Sequence, residues 1–498
     1  MLGQIVVAAA NFLFIPYLVR HLGQTEYGLY ILLSTVASYL LLFTFGAADA
    51  TIKFVAEHHG ASDGRALKDT LGYSLAFHAL GVVPAAIALF FASEFFAFRL
   101  FHVPRELLPQ AGFVLRCAAS GAVLAALVSF AGSTLQGLQR FDWYNAVSGL
   151  QNAVMPFGAA AAVAWGFGLK GAALWYVALT AAAAAAGLSA VWALLQPYHG
   201  RAAGRGLSFP AFRDYGASMW LSLVAWVVTF QFDKIFLARG TSLSDLTLYS
   251  VPSGLLQRVQ VMGVVVSAVV LPMMSELHGH GAHEALVRMY LKSSRFLLWA
   301  VLPALIMLFV LMPQFLTLWL GGEFGDRGVW PARLVVLAKL FFIMNAIPNA
   351  VVCSRGKPWA MTVMIWSQAV ISLLAWKILI PRYGILGVAW GSLIAQAAPT
   401  ILYLLWLHTA VLRLAEGRYM REALYAPVAS ALVLTLFVFP AHPLVQDWTR
   451  LIAVVALGLG LYYGSTWFLL DFDDKQFLKA LLSRQPVPTE EPSALGGV

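Results

Sequence analysis

Charged side chains inside long apolar stretches are the residues of this sequence most able to do chemistry. Arg258 is the clearest case, because no other charge lies between Ser250 and Leu271. A charge at the centre of a bilayer costs at least ~2.5–3.5 kcal/mol, so it normally faces a cavity or a partner. We predict that Arg258 binds an anionic group of a cargo. The alternative is a structural pair with a neighbouring helix.

Three further cations lie nearer the ends of their apolar stretches, namely Arg116, Lys339 and Lys377. Snorkelling of a long side chain towards the interface explains each of them about as well as a binding site does. With Arg258 they outnumber the acids of the apolar stretches, which predicts a negatively charged cargo. A guanidinium also presents a planar fork that suits phosphate oxygens. We therefore predict these four residues as substrate-binding.

Ion coupling needs a group that changes charge during a transport cycle. Asp49 is predicted at the inner end of one apolar stretch and Asp233 at the outer end of another. His78 lies in the middle of a third, and histidine is the side chain that ordinarily titrates near neutral pH. We predict Asp49, Asp233 and His78 as ion-coupling residues. For the two acids a purely structural role is equally expected.

Two patterns resemble metal sites, and neither predicts one. The D-F-D-D segment at 471–474 resembles the D-x-D of sugar-nucleotide enzymes, but it only follows the last apolar stretch. His278, His280 and His283 with Glu284 lie in a glycine-containing segment, where solvated side chains are expected rather than zinc ligands. We predict no metal and no cofactor.

An enzyme is not predicted either. The sequence lacks the G-x-x-x-x-G-K-[ST] loop of ATPases and the H-E-x-x-H of metalloproteases. The longest loops predicted on the outer side, 92–110 and 313–331, are short for a catalytic domain that binds acceptor sugars. We therefore predict no catalytic residues.

The composition indicates a chain that dissolves in lipid. Hydrophobic residues make up 60% of it and charged residues 11%, against roughly 25% charged residues in soluble domains. The formal charge of +9 comes from short basic clusters between apolar runs. Such clusters are typical of cytoplasmic loops beside anionic lipid and not of a nucleic-acid module. Cys117 and Cys353 are predicted to be small buried hydrophobes.

Apolar runs near the ~20 residues that a bilayer requires recur along the whole chain. They predict about fourteen transmembrane helices, at 3–20, 28–50, 71–91, 111–135, 144–166, 171–195, 215–237, 247–273, 290–312, 332–352, 359–380, 385–408, 423–440 and 450–470. With the N-terminus inside, the predicted inner loops and flanks carry eighteen Lys and Arg residues and the outer ones nine. This asymmetry predicts that both termini are cytoplasmic.

The chain also repeats itself. Trp143 and Trp359 are 216 residues apart, and G-x-x-G at 168–171 recurs at 384–387 with the same offset. The segments 26–30 and 245–249 match at an offset of 219. A repeat of six spans predicts two parallel halves around a central cleft. The predicted domains are an N-terminal six-helix bundle (1–195), a cytoplasmic linker (196–214), a C-terminal six-helix bundle (215–410), two added helices (411–470) and a cytoplasmic tail (471–498).

These segments carry a family resemblance. Residues 20–30, R-H-L-G-Q-T-E-Y-G-L-Y, resemble the R-x-L-G-x-x-x-Y-G-L-Y segment of bacterial polysaccharide and O-antigen flippases, within the multidrug/oligosaccharidyl-lipid/polysaccharide exporter superfamily. Asp233-Lys234 with Tyr249, G-G-E-F at 321–324 and G-I-L-G-V-A-W at 384–390 are similar to the second-half landmarks of that family. Thr247 stands where the family landmark has glycine.

The resemblance implies an all-α fold and the flipping of an undecaprenyl-diphosphate-linked oligosaccharide to the periplasmic leaflet of the inner membrane, driven by ion antiport, with protons expected. Its implied partners are membrane lipid, the lipid-linked glycan, a polysaccharide polymerase and glycosyltransferases. A drug antiporter and a lipid II flippase of the same superfamily remain alternatives, and a membrane glycosyltransferase or polymerase is a more distant one. The G-x-x-x-D-R-x-G-R-R loop of major-facilitator transporters is absent after the second span.

Overall fold

The computed structural model describes residues 2–61, 63–196, 206–257, 259–469 and 475. Within them the chain is helical and has no β-strand. The α-helices are α1 (Leu2–Leu40), α2 (Ala47–Gly60), α3 (Gly64–Phe91), α4 (Ser93–Arg99), α5 (Leu108–Gly137), α6 (Phe141–Ala164), α7 (Gly168–Leu195), α8 (Phe209–Gly240), α9 (Leu243–Leu256), α10 (Val261–Gly279), α11 (His283–Val310), α12 (Met312–Leu320), α13 (Gly322–Arg327), α14 (Val329–Met344), α15 (Ala346–Ser354), α16 (Trp359–Tyr383), α17 (Ile385–Trp406), α18 (Glu416–Tyr419), α19 (Tyr425–Ala441) and α20 (Trp448–Leu469).

Twelve helical segments in the described part of the chain are long and apolar enough to cross a membrane. The all-α, multi-pass fold is therefore confirmed, whereas the count of fourteen stays a prediction. One difference arises at Gly23, where α1 bends because the backbone (φ 76°, ψ 163°) is not helical. Glycine adopts this conformation readily. The first predicted span, 3–20, lies before this bend, and the second, 28–50, begins after it and runs past the end of α1 into the start of α2.

The second difference arises in the predicted span 247–273. The structure replaces this continuous helix with two, α9 ending at Leu256 and α10 beginning at Val261. Gln257 and Gln260 keep right-handed helical dihedral angles, so the described part of the break is a tight turn. The membrane span at 247–273 stays a prediction, because hydropathy measures apolarity and not the continuity of a helix.

The helices form two compact units, each with its own packing. Unit 1 consists of Met1–Arg258, Trp330–Ala338 and Trp359–Pro399. Inside it α5 buries many alanines and glycines, and such small residues let membrane helices approach closely. Unit 2 consists of Val259–Val329, Lys339–Pro358 and Thr400–Val498. There α11, α19 and α20 enclose an apolar core around Leu434 and Tyr462.

The predicted repeat has matching backbone features in unit 1. Gly168 and Gly384, 216 residues apart, both lie in the left-handed region, with φ of 53° and 55°. Each stands at the turn between two long helices, α6 and α7 in one case and α16 and α17 in the other. The predicted bundles themselves stay a prediction, because sequence halves and packed units divide the chain differently. Residues 197–205 of the predicted linker lie outside the described residues, and its last part, from Phe209, is the start of α8. Of the predicted tail only residue 475 is described.

Candidate functional site

The α8–α9 hairpin positions the most deeply placed acid of unit 1. Its turn is stabilised by a capping box, in which Ser242 Oγ accepts from Asp245 N at 3.1 Å and Asp245 Oδ2 accepts from Ser242 N at 3.5 Å. This reciprocal pair satisfies two donors at the start of α9. The cap therefore sets where α9 begins and which of its side chains face α8.

Asp233 and Tyr249 meet across this hairpin. Both are buried, at 8% and 3% exposure, and Tyr249 Oη donates to Asp233 Oδ2 at 2.9 Å. The other carboxylate oxygen accepts from Lys234 N at 2.8 Å. Buried carboxylates are costly unless they are hydrogen-bonded. Asp233 is thus shielded from water, and the Tyr249 hydroxyl and the Lys234 amide can form hydrogen bonds with it whether the acid is charged or neutral.

Further helices of unit 1 complete the surroundings of this acid. Tyr39 of α1 lies close to Asp233 and donates its hydroxyl to the Gln231 carbonyl oxygen. Lys234 Nζ donates to Gln231 Oε1 at 2.8 Å. Ser392 of α17 interacts with the hydroxyl of Tyr249. The acid is therefore surrounded by polar groups from α1, α8, α9 and α17, an arrangement able to hold or release a proton.

His78 lies elsewhere in unit 1 and is only 1% exposed. Its Nδ1 is 2.8 Å from the Ser74 carbonyl oxygen, and its Nε2 is 3.3 Å from Ser129 Oγ. Thr51 Oγ1 of α2 donates to Ser74 Oγ at 2.5 Å. Both ring nitrogens have neutral partners, as in a structural buried histidine. Its coupling role stays a prediction.

Asp49 lies in the first turn of α2 and is exposed. An acid at this position is stabilised by the positive end of the helix dipole. The structure therefore gives Asp49 a structural explanation, and its predicted coupling role is untested.

Lys339, one of the four predicted cations, lies in unit 2 and is buried, at 7% exposure. Its Nζ donates to Gln260 Oε1 at 3.0 Å. Gln260 immediately precedes α10, so this lysine bonds to the interrupted stretch between α9 and α10. Arg258, the strongest predicted cargo-binding residue, belongs to the same stretch and lies outside the described residues.

The other two predicted cations have different environments in unit 1. Arg116 donates Nε to Ser93 Oγ at 3.2 Å and Nη2 to Glu94 Oε1 at 3.0 Å. Lys377 is exposed, and its neighbours on the same face of α16, Leu374 and Ile378, are 57% and 55% exposed. Such an apolar, outward face is expected to contact lipid. The structure therefore explains Arg116 by an ion pair and Lys377 by snorkelling, and their substrate role stays a prediction.

The described residues contain no group of three or more His, Cys, Asp or Glu side chains arranged to hold a metal ion. His283 bonds instead to Arg355, with Nη2 to Nδ1 at 2.7 Å, and to the Leu412 carbonyl oxygen at 3.0 Å. The D-F-D-D segment at 471–474 lies outside the described residues.

Sequence reasoning missed two partnerships. The contact between Tyr249 and Asp233 could have been predicted, because each residue lies eight positions from Thr241 in the turn between α8 and α9. Residues equally far from a tight helical turn lie at the same height. In unit 2, His408 contacts Glu416, eight residues away, and Tyr290, 118 residues away. No local signal reveals the second of these contacts.

The family comparison agrees with the resemblance carried by segment 20–30. A family model described as "Polysaccharide biosynthesis protein" matches residues 1–278, which is more than half of the chain. No curated protein sequence matches the chain significantly.

Solved structures show the same fold. The chain is similar to a lipid II flippase, MurJ, in an inward closed conformation (TM-score 0.69, 14% identity, 93% of this chain and 98% of that one). It is also similar to an inward-facing multidrug resistance MATE family transporter of the MOP superfamily (TM-score 0.61, 16% identity, 82% and 95%). A third is a MOP superfamily transporter from Pyrococcus furiosus (TM-score 0.51, 16% identity, 83% and 94%). These are structures of transporters and flippases rather than enzymes, and the chain shares their multi-pass membrane fold. The chain belongs to the polysaccharide biosynthesis protein family and has the fold of MOP superfamily transporters.

Proposed function

We propose that this protein flips an undecaprenyl-diphosphate-linked oligosaccharide from the cytoplasmic to the periplasmic leaflet of the inner membrane. The observation that carries the proposal is the family match over residues 1–278 in a chain with a flippase-like fold. The cargo would be delivered for surface polysaccharide assembly by alternating access. Both termini would be cytoplasmic, as the basic asymmetry of the loops predicts.

The diphosphate is the part of the cargo that this chain is best suited to bind. Lys339 is buried and donates Nζ to Gln260, and Arg258 is the one charged residue between positions 250 and 271 of the sequence. A diphosphate entering a membrane cavity loses its hydration, so charge-assisted hydrogen bonds from lysine and arginine replace those of water. The glycan would make weaker polar contacts with the protein, so its structure would be determined by the enzymes that build it and not by selection during transport.

Asp233 is the group we propose for coupling by proton antiport. Its carboxylate is buried among polar groups and bonded to Tyr249. A proton taken from the periplasm would neutralise it, and release of that proton to the cytoplasm would restore the charge. Because burial makes the charged and neutral forms differ strongly in free energy, each would favour a different conformation of the helices around Asp233.

Deletion of the gene tests the transport proposal. The deletion strain should lose its surface polysaccharide and accumulate the lipid-linked oligosaccharide on the cytoplasmic side, and the wild-type gene should reverse both effects. Rescue of a strain depleted of its lipid II flippase would favour the peptidoglycan alternative instead. A change only in drug susceptibility, with normal surface glycan, would favour drug export and overturn the proposal.

Genes for glycosyltransferases and a polysaccharide polymerase are expected beside the gene of this protein, because the cargo must be built before flipping and extended after it. Sequencing of the flanking region tests this expectation. Flanking genes that encode only unrelated transport proteins would contradict this expectation.

A further inference from the structure

A buried histidine in unit 2 has no part in the transport steps proposed above. His408 is 1% exposed. Its Nδ1 lies 2.9 Å from Glu416 Oε1 and 3.0 Å from Oε2, and its Nε2 lies 2.7 Å from Tyr290 Oη. The ring of Tyr419 lies against the imidazole, with ring centroids 4.5 Å apart. Both nitrogens of this ring are thus engaged by ionisable side chains, which is not so for His78.

The backbone around His408 is unusual for a membrane helix. α17 continues into a π-helical turn, Leu407–Leu412, and a second one, Met420–Leu424, follows α18. Arg413 between them has a left-handed backbone, with φ of 51°. Single π-helical turns inside helices are frequent at functional sites. Here they accompany the reversal of the chain that sets Glu416 beside His408.

The imidazole of His408 can hold one or two protons without losing a hydrogen bond. A carboxylate only accepts, so Nδ1 carries a proton directed at Glu416 in either state. In the neutral ring Nε2 accepts from the Tyr290 hydroxyl. In the charged ring Nε2 donates to the Tyr290 oxygen, and the hydroxyl proton turns towards Ser294 or Tyr419, which both interact with Tyr290. The Glu416 carboxylate balances the added charge.

A route for the proton is present on one side of the cluster. The side chain of Glu416 is 45% exposed, whereas that of His408 is 1% exposed. Water can therefore reach the carboxylate and exchange protons with the imidazole through it. The next charged side chain, Arg418, is occupied by Glu284 at 2.7 Å and Glu422 at 2.9 Å.

His283, a second histidine of unit 2, has different hydrogen-bond partners from His408. His283 Nδ1 lies 2.7 Å from Nη2 of Arg355, and the only proton of its ring is directed at the Leu412 carbonyl oxygen. A second proton would face a guanidinium, which only donates. Arg355 is tied to the same turn, because its Nη1 donates to the Val411 carbonyl oxygen at 2.6 Å. His283 is therefore a built-in comparison, because its ring has no acceptor for a second proton.

We propose that His408, with Tyr290 and Glu416, is a proton-binding site of unit 2, distinct from the Asp233 site of unit 1. The proton comes from water beside Glu416 and returns there, with no other reactant. Binding it converts a hydrogen bond to a neutral ring into an ion pair, so the contact between the end of α17 and the start of α18 is strongest where the imidazole is protonated and the carboxylate is still charged. The site does not depend on the identity of the cargo or on coupling at Asp233.

The test is ¹⁵N NMR of the full-length protein, labelled at histidine and embedded in lipid bilayers, between about pH 5 and pH 9. His408→Gln identifies the resonance of His408 among the eleven histidines. That resonance should move from neutral imidazole to imidazolium as the pH falls. Glu416→Gln should move the midpoint to lower pH by about one pH unit or more, because the balancing charge is lost. His283→Gln should leave the midpoint in place.

A second variant keeps the assignment secure if His408→Gln fails to insert in the membrane. Tyr290→Phe removes only the hydroxyl beside Nε2, so the resonance that it perturbs is that of His408. A ring that stays neutral down to about pH 5, or a midpoint that Glu416→Gln does not move, would show that His408 only packs the junction and would overturn the proposal.

Discussion

At the scale of single residues, the hydrogen bond between Tyr249 and Asp233 allows the coupling role of this acid to be tested apart from its structural role. Tyr249 is buried, and its hydroxyl donates a hydrogen bond to Oδ2 of the Asp233 carboxylate. A hydrogen bond inside a membrane protein contributes about 1–2 kcal/mol at most. Its loss should therefore alter the protonation of Asp233 without unfolding the protein.

Asp233→Asn should abolish glycan export while the protein stays in the membrane, because an amide cannot exchange a proton. Tyr249→Phe should keep export but shift its pH dependence, since the carboxylate loses the donor that favours its charged form. The measurement is surface glycan at several external pH values, with membrane protein quantified on immunoblots. Asp447→Asn, an exposed acid paired with Arg450, is the matched control and should behave as wild type. Normal export from Asp233→Asn would place coupling at Asp49, His78 or a sodium site.

Arg258 is tested by substitutions that separate charge from geometry. Arg258→Lys keeps the charge but loses the planar fork and should retain partial export. Arg258→Ala should lose export, and Arg258→Glu should lose it most completely because it repels an anionic cargo. If Arg258 only pairs with a helix, the Ala and Glu variants should instead disappear from the membrane. Normal surface glycan from a well-inserted Arg258→Ala protein would end its role in cargo binding.

At the scale of elements, α1 and α9 meet in and beside the two segments that the sequence repeat relates, 26–30 and 245–249. Thr247 is fully buried and donates Oγ1 to the Gln24 carbonyl oxygen at 2.7 Å. Ser244 Oγ donates to the Gln24 side chain. A Cβ on Gly28 would overlap the carbonyl oxygen of Leu243. The threonine that departs from the family landmark thus forms a bond of its own at this contact, while Gly28 allows the close approach.

Gly28→Ala should destabilise the protein by about 1–3 kcal/mol, the usual cost of overpacking a tight contact. Gly254→Ala in α9 is the matched control, because a Cβ there meets no atom within 4 Å. The measurement is the midpoint of thermal unfolding in detergent, which should fall for Gly28→Ala alone. Equal midpoints for the two variants would mean that the α1–α9 contact is loose.

At the scale of the whole molecule, the basic asymmetry of the loops makes a topological prediction. Residue 498 should be cytoplasmic and the 313–331 segment periplasmic, where the structure has the short helices α12 and α13. Alkaline phosphatase should be active when fused within 313–331, and green fluorescent protein should fluoresce when fused after residue 498. An active phosphatase at the C-terminus would mean that the predicted number of spans is wrong by one.

The sequence alone predicted the all-α, multi-pass fold, because apolarity over ~20 residues is a local property of the chain. It also indicated the family, through the motif at 20–30. It predicted Asp233, at the outer end of an apolar stretch, as an ion-coupling residue. Only the tertiary structure decided the partners. Arg116 meets an acid of α4, Lys339 meets Gln260, and His408 meets Tyr290 118 residues away. The physical reason is that a side chain's hydrogen bonds depend on which helices pack together, and hydropathy contains no information about that packing.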